Sequence, residues 1–326
     1  MRRLRPFSVT TSVALLCLLI LMLGGARCSW SQLFPAPDAK ERWDVLPLSE
    51  NDLQALPPQA GEKDVLPGFT RELLRVEWRY QDPIDLYVIR PNGVARPPVV
   101  LFLYSYPTDS DRFRNDKLCE NLTRNGFAAV GFVSALTGQR YHDRPMKEWF
   151  VSELPEALGT SVHDVQMVLN YLGTRGDLDM DRVGIFGQGS GGAIAILSAA
   201  VDPRIKAVDV LDAWSDWPDW LAKSPLVPQN ERALYLTPEF LANVAPFDPI
   251  RWMPRLSNRP LRVENTLFTS AVPSETRKRL HEAMPSNAVT TDYQDKEQYM
   301  KDAGANGKIL EWLHGELDGS TATRQQ

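Results

Sequence analysis

One stretch, DRVGIFGQGSGG running into AIAILSAA (Asp181 to Ala200), limits what this chain can fold into more than any other. Val183, Ile185 and Phe186 form a short β-rich run. Gly187, Gly189, Gly191 and Gly192 crowd the turn behind it, and the small apolar residues that follow read as a helix buried on most of its surface. An apolar strand turning sharply into an apolar helix calls for a sheet whose two faces are both covered.

The flanking sequence repeats that alternation. RELLRVEWRY (71–80) and IDLYVIR (84–90) read as an antiparallel pair, and the unbroken apolar run 99–104 as a strand buried on both faces. Then come a helix near 115–125, a strand at 128–133, a helix at 155–172, a strand at 182–186, a helix at 191–200 and a strand at 207–211. After an interruption, a strand is expected at 266–270, a helix at 274–284, a strand at 288–293 and a last helix near 306–317. The pattern predicts an α/β domain over 69–318 with a mostly parallel sheet between helices, followed by a short polar tail, 319–326. With 43 % apolar and 24 % charged residues in 326, the chain has material for a full core, which excludes general disorder, collagen and a multi-span membrane protein.

The interruption, 214–257, holds Trp214, Trp217, Trp220 and Trp252 and is dense in proline. It follows a strand, on the side where open α/β sheets bind ligands. Two readings stand side by side: a cap over that edge, or an aromatic excursion whose rings anchor it to the domain.

Strand, glycine-rich turn and helix at 181–200 resemble the nucleophile elbow of the α/β-hydrolase superfamily (esterases, dienelactone hydrolases, peptidases), and 73–317 can be laid over that fold. The resemblance implies a nucleophile at the turn, backbone amides as an oxyanion hole, an acid after a later strand and a histidine after the last one. This chain departs from each. Gly189 stands where the nucleophile is expected, and sliding the motif by one residue to centre it on Ser190 puts Gln188 at a position that wants glycine. Ser190 is then either a helix-start residue satisfying a backbone group or a displaced nucleophile in need of a base. The expected acid loop, Thr269 to Pro273, carries no carboxylate, Glu275 falls in the next helix, and Asp212 is the substitute acid. The expected histidine loop is empty until His314, a helix residue. His163 lies beside a core stripe, His281 on a charged helix, and His142 alone follows a strand on a loop. Where such hydrolases carry a His-Gly pair after the strand matching 99–104, this chain has YSYPTDSD, Tyr104 to Asp111.

Two functions compete. One is a noncatalytic member binding a small molecule or carbohydrate through Tyr104, Tyr106, Asp109, Gln188, Trp214 and Trp217. The other is a serine hydrolase acting on carboxylic esters from a displaced site, Ser190 with His142 and Asp212. No cofactor is expected: Gly187, Gly189 and Gly192 match a dinucleotide spacing outside a first βαβ unit, and Asp177, Asp179 and Asp181 lack the glycine-centred loop of a cation site.

The N-terminus has the three-part layout of an export signal: Arg2, Arg3 and Arg5, an apolar run from Val13 to Leu23, then Gly24, Gly25 and Ala26. Residues 1–28 are expected to be a signal peptide or an anchor, and 29–68 a linker or strap on the surface. That places the protein outside the cell or in the envelope, with membrane contact only through an uncleaved leader. The leader contributes three arginines and no acid, so losing it makes a net charge of −5 more negative. Such a surface argues against nucleic acid as a partner.

Overall fold

The computed structural model describes residues 54–79, 82–105, 110–135, 151, 154–304 and 308–319. Nine strands form one sheet in the order β1-β2-β3-β5-β4-β6-β7-β8-β9. They are β1 (Gln59–Val65), β2 (Phe69–Val76), β3 (Ile84–Pro91), β4 (Pro98–Leu103), β5 (Ala128–Phe132), β6 (Asp179–Gln188), β7 (Ile205–Leu211), β8 (Leu261–Thr266) and β9 (Val289–Tyr293). The first three run antiparallel to their neighbours, and from β5 across to β9 every pairing is parallel. Part of the stretch expected to be a linker or strap is thus an edge strand; β1 is mostly exposed and carries Glu62, Lys63 and Asp64, charges that discourage pairing with another chain.

Successive side chains of a strand face opposite ways, so a strand apolar throughout needs two cores. Leu101, Ile185, Val208 and Val263 feed one, and Val100, Phe102, Phe186 and Leu211 the other. Helices α1 (Asp116–Thr123) and α10 (Glu311–Asp318) cover the second face. Helices α2 (Leu154–Gly173) and α3 (Ser190–Val201) cover the first.

The excursion after β7 is a run of short helices, α4 (Trp217–Lys223), α5 (Arg232–Tyr235), α6 (Pro238–Val244) and α7 (Pro249–Trp252). It lies on the helix layer: α6 packs against α2 and α7 against α3. This is why α2 and α3 are buried on nearly every side. Helix α8 (Ser274–Glu282) packs in turn against α4 and α7. A small helix, α9 (Lys296–Tyr299), follows β9.

The strand expected at 266–270 lies five residues earlier, as β8. Its polar residues hid it. Arg262, 8 % exposed, donates to Asp209 on β7 through Nε at 3.0 Å and Nη2 at 2.6 Å, and to Glu264 Oε1 at 3.1 Å. Tyr293 on β9 donates its hydroxyl to Glu264. A buried arginine between two carboxylates is tolerable when one of them keeps its proton. Burial, reinforced by Asp209, pushes Glu264 up to about 9.

That shift sets a pH dependence. Between the ordinary glutamate value and about 9, folded Glu264 holds a proton that the unfolded chain has lost, so its contribution is complete in mild acid and disappears as pH rises through about 9. Urea unfolding is expected to show stability declining on the order of 5 kcal/mol from pH 5 to pH 9, and Glu264→Gln should flatten the decline.

Candidate functional site

The elbow forms as the glycines require. β6 ends at Gln188, Gly189 turns with φ 56° and ψ −116°, and Ser190 begins α3. A side chain at that φ is strained, as elbow nucleophiles are. The turn is pinned from β7: Gly189 N donates to Leu211 O at 2.9 Å, and Gly189 O accepts from Trp214 N at 3.1 Å. Helix α3 sits so near the sheet that a Cβ on Gly191 would lie 2.0 Å from Leu103 O.

The place above the turn is taken. A Cβ on Gly189 would lie 2.3 Å from Ser105 Oγ, 2.8 Å from Ser105 Cβ and 3.1 Å from Trp214 Nε1. At the position of the nucleophile this chain therefore has neither a side chain nor room for one; a hydroxymethyl group from the segment after β4 and an indole from the segment after β7 fill the space. Ser105 is the residue that sequence reasoning passed over, because its approach to the elbow depends on how two distant loops pack.

Ser190 is fully buried at the junction of α3 with the sheet. Asp212 does stand at the end of β7, with φ 49°, but its carboxylate is engaged by β8: Thr266 N donates to Oδ1 at 2.8 Å and the Thr266 hydroxyl to Oδ2. Burial raises its pKa, and the Thr266 hydrogen bonds pull the other way. His281, on its charged helix, is half-buried, with Nε2 3.0 Å from Asn265 Nδ2, and burial lowers its pKa. His314 is stacked on Phe127 with centroids 4.0 Å apart, and burial brings it down to about 4. His163 is buried in α2 with its ring edge toward Trp78. His142, Tyr106 and Asp109 lie outside the described residues.

The remaining ligand candidates are built into the packing. Tyr104 is wedged between Phe102 and Phe113, with the Arg112 guanidinium 3.5 Å above its ring, and burial pushes its phenol up to about 12. Gln188 is half-buried and registered opposite Leu211. Trp214, Trp217 and Trp220 are fully buried: Trp214 and Trp220 have centroids 4.4 Å apart, and Trp217 meets Trp220 edge-on at 5.8 Å. Of the two readings of 214–257, the anchored excursion describes these rings. Asp177 and Asp179 of the apparent cation spacing form ion pairs with Arg175 and Arg182.

An open cavity of about 500 Å³ lies instead between the excursion and α8, bordered by Asp216, Trp217, Leu241, Asp248, Ile250 and Arg279 among others. Asp248 ties it together, accepting from Asp216 N at 3.0 Å, Trp217 N at 3.1 Å and Ile250 N at 3.1 Å. Asp216, left-handed at φ 45° and 4 % exposed, has Oδ1 3.3 Å from Arg279 Nη1. Its Oδ2 is buried and has no hydrogen-bond partner among the described residues. Burial raises the Asp216 pKa, Arg279 opposes the rise, and Asp248 adds to it.

The filled elbow predicts a coupling. Gly189→Ser is expected to cost about 2–4 kcal/mol in urea unfolding, from overpacking and left-handed strain together. Adding Ser105→Gly should recover 1 kcal/mol or more, a non-additivity that a double-mutant cycle will read.

The dienelactone hydrolase family model matches residues 84–211. The chain is 26 % identical over 150 residues to the putative hydrolase YtaP of Bacillus subtilis (strain 168); the match covers 41 % of this chain and half of that protein's length. Acetyl xylan esterase 1 from Thermoanaerobacterium sp. JW/SL YS485 superposes with a TM-score of 0.60 at 16 % identity, over 74 % of this chain and 82 % of the esterase. Pyrococcus horikoshii acylaminoacyl peptidase gives 0.60 at 14 %, over 77 % of this chain and 42 % of the peptidase. The strand order, the strained glycine turn between β6 and α3 and these likenesses agree: the chain has the α/β-hydrolase fold.

Proposed function

We propose that this chain is a noncatalytic ligand-binding protein on a hydrolase scaffold, exported by its N-terminal segment and binding a small molecule in the cavity beside Asp216. The observation that carries the reading is the occupied space over Gly189. Covalent catalysis on this fold needs a nucleophile on the strained turn, where the amides at the helix start can reach the oxyanion. A hydroxyl at Ser190, fully buried in the helix junction, lies away from any such approach.

The second reading is a carboxylic-ester hydrolase with a displaced site. The comparisons lean toward it, since the relatives are an esterase, a peptidase and a putative hydrolase. One geometric observation favours it as well: Ser105 Oγ occupies the neighbourhood an elbow nucleophile would fill. In this reading Ser190 or Ser105 attacks, Asp212 orients the base, and His142 supplies it.

A fluorophosphonate separates the two without a known substrate. Intact-mass analysis of the folded mature protein is expected to show no adduct. A stoichiometric adduct that maps to Ser190 or Ser105, and disappears in Ser190→Ala or Ser105→Ala, would establish the hydrolase instead.

A further inference from the structure

Helix α8 is fastened to its two neighbours by different means. Toward the excursion, the Thr276 hydroxyl donates to Asp219 Oδ2 at 3.0 Å, and Arg279 Nη1 lies 3.3 Å from Asp216 Oδ1. Toward the sheet, the side-chain hydrogen bond among the described residues is the one between His281 and Asn265 of β8. Asn265 is 3 % exposed, and its Nδ2 stands between two partners, 3.0 Å from His281 Nε2 and 2.7 Å from Asp292 Oδ1 on β9.

These distances fix where the protons are. An amide turned the other way would hold its oxygen against a carboxylate oxygen, two acceptors with no hydrogen between them, so Asp292 compels the nitrogen to take this place. Nδ2 carries two hydrogens, one for each neighbour. Facing a donor, His281 Nε2 accepts, and the neutral ring keeps its proton on Nδ1. A second proton can enter only at Nε2, where it would meet the N–H already pointing there. Nor can Asn265 turn to receive it, since its oxygen would then meet Asp292. Uptake of a proton therefore breaks at least one link of the chain from His281 through Asn265 to Asp292.

The charges around the ring divide. Burial opposes its protonation most, Asp292 favours it, and Arg277 on the same helix opposes it. Glu282, the next residue, is turned to Lys278 at 3.8 Å, and on the excursion side Asp216 and Asp219 are engaged by Arg279 and Thr276. The balance holds His281 below the ordinary histidine value, in the sense that the geometry requires. We propose that His281, Asn265 and Asp292 form an acid-sensitive latch between α8 and the edge of the sheet, closed while the ring is neutral and opened when it takes up a proton. Opening frees α8 from β8 and β9, while Thr276 and Arg279 keep it on the excursion. Because α8 supplies Arg279, Glu282 and Ala283 to the border of the cavity, the latch sets how firmly that wall is held, whether or not the cavity takes a ligand. The sign is opposite to that of Glu264: the stabilisation is complete above the ordinary histidine value and is lost as pH falls.

The first test is NMR on the folded mature protein, with the His281 signals identified by their loss in His281→Gln. Long-range proton–nitrogen correlation is expected to show the Nδ1–H tautomer at neutral pH and a titration below the ordinary histidine value. Asn265→Ala removes the donor and should raise that midpoint. A ring protonated on Nε2 in the wild type, or a midpoint that Asn265→Ala leaves in place, would overturn the latch. Hydrogen exchange, corrected for the intrinsic pH dependence of the rate, reads the opening itself. An opening that takes up one proton grows by up to about tenfold per pH unit below the ordinary histidine value. Protection of the α8 amides is thus expected to fall about tenfold between pH 7 and pH 5. His281→Gln offers Asn265 an acceptor that does not titrate and should keep its protection over that range. Equal loss in His281→Gln and wild type, or no loss in wild type, would overturn the proposal, and this comparison decides alone if Asn265→Ala does not fold.

Discussion

The fold turns on how closely the first turn of α3 approaches the sheet. Gly191 meets the carbonyl of Leu103 on β4, Gly187 meets the carbonyl of Gly191, and the Gly189 carbonyl is held by Trp214 after β7. Three strand ends and one helix start are fastened at a single point, at distances that only absent side chains permit. That junction buries Ser190, brings Ser105 over the turn and draws Trp214 down beside β7.

The order of elements was legible because the central strands carry apolar runs, unbroken in β4 and β5, and most helices have turn residues between them and the next strand. The elbow was legible to single-residue resolution, including the glycine at 189, because a left-handed turn leaves a mark in composition. β8 was not, since LRVENT alternates charge with apolar residues in a strand that is buried along its whole length. Its Arg262 is compensated by Asp209 on one neighbour and its Glu264 accepts the Tyr293 hydroxyl on the other, and no single-strand pattern contains that information. The tryptophans were ambiguous for a similar reason: composition places aromatic mass near the sheet edge, and only packing decides whether the rings face solvent or one another. Asp216 and Arg279 are 63 residues apart in the chain. Their meeting depends on α8 resting on α4, which spacing does not encode.

Electrostatics divides the molecule into two unlike regions. On the β7–β8–β9 side, buried charge is compensated at short range, Arg262 against Asp209 with a protonated Glu264 beside them. Beside the excursion, compensation is incomplete: Asp248 is saturated by amides, whereas Asp216 keeps an oxygen in reserve. Both regions carry a desolvation cost.

The three interlocked indoles also bear on how anything enters. Trp214, Trp217 and Trp220 are core residues as much as Leu101 is, so lifting 214–257 away would tear the hydrophobic core rather than swing a flap. Passage into the cavity must be governed by the long, solvated side chains at its mouth, Arg251, Arg279 and Glu282, which sweep through rotamers far faster than a domain moves.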